Sequence, residues 1–238
     1  MVKTLISVRK RIAFGLLARG INIPAPFVEK YAELIHLKKI LDEKKIDCVL
    51  DVGANIGQFA QDLRQIGYTG FIVSFEPVKE AFATLTGQFA GDPNWLGVQT
   101  ALGSDRGELE FNIGKDTKYS SALAFSNAGD VDRTEKVPVQ RLDDLVRENK
   151  RLAASSKILL KMDTQGFDLE VFAGASGCID GIVAIMSEVS VIPWYEGMKS
   201  YKESLAIYES SGFRLTNLST VSRNSGGHVV ELNCILSR

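Results

Sequence analysis

The segment from Cys48 to Pro77 constrains this chain more than any other. CVLDV, Cys48 to Val52, is a compact apolar run that ends in the glycine-containing turn GANIG. Phe59, Leu63 and Ile66 then recur at helical spacing before Gly67, and GFIVSFEP, Gly70 to Pro77, is a second buried run. Strand, turn, helix and strand within about thirty residues make a βαβ unit. A crossover of that length sets the two strands parallel.

The alternation continues. Val78, Phe82, Leu85 and Phe89 mark one face of a second helix, Trp95 to Gly103 reads as a third strand, and Gly107 to Ile113 as an antiparallel extension. KILLKMD, Lys157 to Asp163, supplies a fourth buried strand with Leu169 and Phe172 on a helix behind it, and Ile182 to Ser190 supplies a fifth. Tyr201, Leu205 and Tyr208 stripe a late helix stopped by Gly212. Two β-rich runs flank Arg223 to Gly227, a connection so short that they must be antiparallel. The expected fold is α/β: a Rossmann-like, mostly parallel sheet with an antiparallel last strand over residues 46–238, preceded by an N-terminal helical extension over 1–45. The polar, weakly periodic stretch Gly114 to Asp132 is expected to be a long functional loop.

Composition narrows the class. At 45% apolar and 24% charged residues, 238 residues suit one packed domain and exclude a disordered or collagen-like chain. Cys48, Cys178 and Cys234 form no CxxC pair, which argues against a disulfide framework or structural zinc and for reduced thiols in the cytoplasm. The net charge of −1 gives no overall field to hold nucleic acid. It is unevenly spread: ten Lys or Arg against five Asp or Glu up to Asp47 give +5, leaving −6 for the remainder. Five of those basic residues and no acid fall in residues 1–20, interleaved with apolar ones, a composition that suits weak contact with an anionic membrane surface or docking on the domain or a second subunit.

The turn after Cys48 to Val52 carries the first functional signal. A dinucleotide fingerprint starting at Gly53 needs glycine at positions 55 and 58, where this chain has Asn55 and Gln58. The pattern present is DxGxNxG, with Asp51 two residues before Gly53, a carboxylate suited to an ammonium or sulfonium group. Glu76 follows Asp51 by 76 − 51 = 25 residues at the end of the second strand, where a carboxylate accepts both hydroxyls of a ribose. A nucleoside with a cationic tail fits between them, and S-adenosylmethionine has that chemistry.

The blocks VLDVGANIGQFAQDLRQIGYTGFIVSFEPVKEAF, ALGSDRGELEFNI, LLKMDTQGFDLEVFAGA and MSEVSVIPWYEG resemble, in that order, the FkbM-type family of S-adenosylmethionine-dependent methyltransferases. The likeness runs from Ile46 nearly to the C-terminus. It implies a seven-stranded sheet, S-adenosyl-L-methionine as cofactor, and O-methylation of a hydroxyl on a sugar, glycolipid or secondary metabolite. By the same resemblance Asp51, Gly53, Ala54, Asn55 and Gly57 line the methionine part, Glu76 holds the ribose, and Ala101 and Leu102 form the adenine edge.

Asp163, ending the strand expected beside the first, is the main catalytic candidate and also touches the cofactor. Glu188 matches the family's strand-end glutamate one strand further out, and Gln165 is placed to orient the acceptor. Methyl transfer is an in-line displacement, so alignment supplies much of the rate while a carboxylate takes the hydroxyl proton. Two carboxylates also suit a divalent metal, a reading held second. Glu231 and Asn233 share a face of the last strand where the family more often has an acid at the second position, which weakens it further. Ser120 and Ser121, in the loop that by resemblance closes over the acceptor, and Trp194 and Tyr195 are the substrate-binding candidates; the aromatics Trp194, Tyr195 and Phe125 suit either stacking on a sugar ring or simple packing. His36 and His228 fall outside the family blocks and read as surface residues. A nicotinamide-dependent oxidoreductase and a catalytically silent nucleoside-binding protein stay open as alternatives.

Overall fold

The computed structural model describes residues 14–15, 17–21, 24–115, 120–124 and 131–238. Its main sheet has seven strands: β1 (Cys48–Val52), β2 (Phe71–Phe75), β3 (Trp95–Val98), β7 (Ile158–Met162), β8 (Ile182–Ser190), β9 (Arg214–Arg223) and β10 (Val229–Ser237). Their spatial order is β3-β2-β1-β7-β8-β10-β9. All neighbouring pairs are parallel except those of β10, which runs antiparallel to both β8 and β9. Chain order reverses between β1 and β7, so the crevice beyond the C-terminal ends of those two strands is where such sheets take ligands.

Helices α2 (Gln58–Gln65), α3 (Lys79–Phe89), α4 (Leu142–Glu148), α5 (Lys150–Ala153), α6 (Asp168–Ala173) and α7 (Tyr201–Ser210) join the strands. Every residue of β1, β2 and β7 is buried, because helices cover both faces and alternate side chains feed two separate cores. Leu50, Val73 and Leu160 enter one core and Val49, Ile72 and Leu159 the other. Helix α1 (Ala25–Glu43) joins the second of these through Leu37, Ile40 and Leu41.

Two expectations need correction. Trp95 to Gly103 is not one strand: β3 ends at Val98, and β4 (Ala101–Leu102) belongs to a second, three-stranded sheet in the order β4-β6-β5. The buried Thr100 makes the break, donating its hydroxyl to the Pro138 carbonyl at 3.0 Å and so turning the chain toward the second sheet. The run from Gly107 is β5 (Gly107–Gly114) of that same sheet, antiparallel to β6 (Val131–Gln140), rather than an extension of the main one. Between them, Ser121 forms an isolated bridge to Asn112, while residues 116–119 and 125–130, including Phe125, lie outside the described residues, as do residues 1–13.

Candidate active site

A row of polar side chains crosses three strands just before their ends. Asp51 on β1 is in register with Ser74 on β2 and Lys161 on β7, so all three share one face of the sheet. Asp51 is fully buried; Lys161 Nζ lies 2.9 Å from its Oδ1, and Ser74 donates its hydroxyl to Oδ2 at 3.3 Å. Lys161 also donates to the Gly53 carbonyl at 3.0 Å and lies 3.7 Å from Asp163 Oδ2. Burial alone would pull the lysine pKa down, but Asp51 and Asp163 beside it outweigh burial and raise it, so the ammonium stays charged. Removing either partner of a buried pair like this strands the other charge at a cost of about 3 to 5 kcal/mol. Asp51, expected at the methionine end, therefore meets a lysine of its own chain and lines neither cavity described below.

The turn after β1 forms the first cavity. Gly53 and Ala54 both donate backbone N–H groups to the Phe75 carbonyl at 3.0 Å, fastening the turn to β2. Gly53 has φ +72, and a Cβ there would stand 2.0 Å from the Asp163 carbonyl oxygen, so glycine lets β1 and β7 approach. Glu76 accepts the Asn55 N–H at 2.7 Å and the Val78 N–H at 2.8 Å. Burial raises its pKa to about 7 against the lowering effect of those two donors. Glu76 lines this first cavity with Gly53, Asn55, Ala101, Leu102 and Phe167. A close-approach glycine, a carboxylate with its back held by amides, and an apolar edge suit a nucleoside. Ala54 and Gly57 do not line this cavity; Ala54 lines the second, and Gly57 caps α2 at φ +98.

The second, larger cavity lies against β8 and β10 and shares Gly53, Asn55, Asp163 and Gln165 with the first. Its other walls include Lys30, Asp62, Glu188, Ser222, Glu231 and Asn233. Gln165 donates from Nε2 to Asp163 Oδ1 at 3.0 Å and to Glu188 Oε1 at 3.2 Å, so the three expected catalytic residues are joined. Burial, then the charges of Asp163 and Glu231, push the Glu188 pKa well up. Glu231, raised chiefly by burial, accepts from Ser222 at 2.7 Å and is hydrogen-bonded to Glu188. The Asp163 side chain, by contrast, is 38% exposed, lies beside Lys161 and faces the boundary of the two cavities.

The remaining candidates divide. Ser120 lines the first cavity and accepts the Gly114 N–H at 3.1 Å, whereas Ser121 is fully buried and donates to the Gln165 carbonyl at 2.7 Å. Tyr195 is buried and Trp194 is 51% exposed. His36, on α1, bonds Thr216 at 3.0 Å, and His228 sits exposed in the β9–β10 turn, both apart from the cavities. The Asn233 amide donates to Glu33 at 2.8 Å. Among the described residues no group of three or more His, Cys, Asp or Glu side chains is arranged to hold a metal ion. Lys161, Phe167, Lys30 and Glu33 go unread in the sequence. Of these, Lys161 carries a signal, a lysine inside the apolar run KILLKM.

A seven-stranded sheet of this order with a nucleoside-type cavity at its switch point is the fold of S-adenosylmethionine-dependent methyltransferases. A chain from Listeria monocytogenes taken to be such an enzyme matches at TM-score 0.50 and 10% identity, over 89% of this chain and 98% of that one. An uncharacterised protein from L. monocytogenes serotype 4b (TM-score 0.47, 9% identity, 85% of this chain) and Aeropyrum pernix fibrillarin with natively bound S-adenosyl-L-methionine (0.46, 10%, 80%) are also similar. This chain spans 66% of the length of each of those two. No curated protein matches the sequence. The methyltransferase FkbM domain matches residues 51–215, and the chain belongs to that family of S-adenosylmethionine-dependent enzymes. Among the described residues no helix is long and apolar enough to cross a membrane.

Proposed function

We propose that the protein transfers a methyl group from S-adenosylmethionine to a hydroxyl of a sugar, glycolipid or glycosylated metabolite. The observation that carries this reading is the position of Asp163 and Gln165 at the boundary between a cavity lined by Glu76, Ala101 and Leu102 and a larger one walled by carboxyl, amide, hydroxyl and ammonium groups. Such walls suit an acceptor rich in hydroxyls. When bound, S-adenosylmethionine supplies an electrophilic methyl on a sulfonium. The chain's residues would do the rest: Glu76 would accept from the ribose, Ala101 and Leu102 would pack against the base, and Gln165 holds the carboxylate of Asp163 in place. Asp163 takes the acceptor's hydroxyl proton as the oxygen forms its new bond to carbon and the carbon–sulfur bond breaks. The enzyme acts in the cytoplasm, with membrane contact through residues 1–20 at most peripheral.

The test is transfer of labelled methyl to a panel of glycosides, glycolipids and RNA. Incorporation into a glycoside as a base-stable ether is expected. Incorporation into RNA alone would overturn the acceptor class, and cofactor binding with no transfer to any acceptor would favour a silent binding protein.

Two expected results bear on the cofactor and on metal. Glu76→Ala should weaken S-adenosylhomocysteine by about 1.5 to 3 kcal/mol, the value of hydrogen bonds to a charged group. Because ribose donors favour the ionised carboxylate and burial holds Glu76 at about 7, wild-type affinity should rise from pH 6 to pH 8, by up to about tenfold. Calorimetry should show that dependence vanish in Glu76→Gln; its persistence would put the ribose elsewhere. EDTA should leave turnover intact. Loss of activity restored by magnesium would make Asp163 and Glu188 metal ligands.

A further inference from the structure

We infer that Tyr195 is a positioning residue that acts through Gln165, fixing which end of the amide faces the two carboxyls. The inference rests on the reading of Asp163 as the proton acceptor. The Tyr195 hydroxyl donates to Gln165 Oε1 at 3.0 Å, while Nε2 of the same amide donates to Asp163 and Glu188. A hydroxyl that donates to one end selects the amide oxygen there and sends both N–H groups toward the carboxyls. Rotated by half a turn, the amide would turn its oxygen toward the Asp163 carboxylate, itself an acceptor, and lose that hydrogen bond. At 4% exposure, the Tyr195 ring has little surface left to stack on a sugar, the role the sequence suggested for it.

The surroundings serve the same residue. Gln165 has φ +53, a left-handed conformation uncommon outside glycine. Its carbonyl accepts the Ser121 hydroxyl at 2.7 Å, and the Glu196 N–H donates to the Ala124 carbonyl at 3.0 Å. The segments around 121–124 and 195–196 are thus fastened to each other and both to Gln165. A backbone held in this conformation needs such support to persist.

The experiment has two arms. In the enzyme without acceptor, the Gln165 side-chain amide is followed by 15N–1H NMR, assigned by its loss in Gln165→Ala. Tyr195→Phe, which removes one oxygen and keeps the ring, should speed exchange of that amide with solvent by on the order of tenfold. An unchanged amide would overturn the inference. The second arm is a double-mutant cycle on kcat. Tyr195→Phe alone should lower kcat on the order of tenfold with the KM for cofactor unchanged, yet have no further effect in the Gln165→Ala background. Equal effects in both backgrounds, with a raised acceptor KM, would mean that Tyr195 meets the acceptor itself and would equally overturn it. If no hydroxyl acceptor is turned over, the proposed activity fails while the NMR arm still decides the role of Tyr195.

Discussion

Replacing Asp163 by asparagine is expected to lower kcat by about 10²- to 10⁴-fold, the range for loss of a general base, and to leave S-adenosylhomocysteine affinity within about twofold. Replacing Glu188 by glutamine should cost less than about tenfold. The two carboxyls are bridged by one amide but sit in different environments. Asp163 has Lys161 at 3.7 Å and reaches both cavities, whereas Glu188 is pushed up by burial and faces Glu231 across a shared hydrogen bond. Glutamine keeps the shape of Glu188 and the oxygen that accepts from the Gln165 amide; asparagine cannot take a proton from a hydroxyl. Steady-state kinetics with an accepted glycoside and calorimetry with S-adenosylhomocysteine provide the check. A Glu188→Gln loss as deep as that of Asp163→Asn would transfer the base role to Glu188. The same pair carries a pH signature in stability. With both folded-state pKa values raised, the stabilisation is complete below the ordinary carboxylate range and is lost as pH rises through the raised values. Glu188→Gln should therefore lift the melting temperature most at alkaline pH.

Gly53→Ala should be the most disruptive single methyl in the chain. Its added Cβ would stand 2.0 Å from a backbone oxygen of Asp163, which no rotamer change can relieve. The φ of +72 adds strain of about 1 to 2 kcal/mol for a residue with a Cβ. A total of about 2 to 5 kcal/mol is expected, a fall of about 4 to 20 °C in melting temperature. The ends of β1 and β7 must part, so S-adenosylhomocysteine binding should fall by about 100-fold or more even where the protein folds. A variant that melts and binds like wild type would show that the turn does not press on Asp163.

Much of this is legible in the sequence where burial is uniform. β1 and β8 fall at the bounds that their largely apolar runs suggest, since a strand covered on both faces admits few polar residues, here Asp51 in β1 and Ser187, Glu188 and Ser190 toward the end of β8. The second sheet is harder to see. β6 alternates exposed charged residues with few buried ones, and its partner β5 has its buried residues gathered at one end. The motif residues Glu76, Asp163, Gln165 and Glu188 are readable because each lies within three positions of the C-terminal end of its strand. Lys161 and Glu33 escape because a charge acquires its meaning from partners distant in sequence. Asp51 lies on another strand for Lys161, and Ser219 and Asn233 lie near the other end of the chain for Glu33.

Helix α1 gives the second cavity a wall that lies outside the βαβ framework. Lys30 lines that cavity and reaches Asp62 at 2.9 Å, and Glu33 receives Ser219 at 2.6 Å and Asn233 at 2.8 Å from the last two strands. The donor-side cavity takes nothing from α1. Substitutions at Lys30 and Glu33 are therefore expected to reshape the second cavity and leave the first as it is, so the two halves of the crevice can be altered independently.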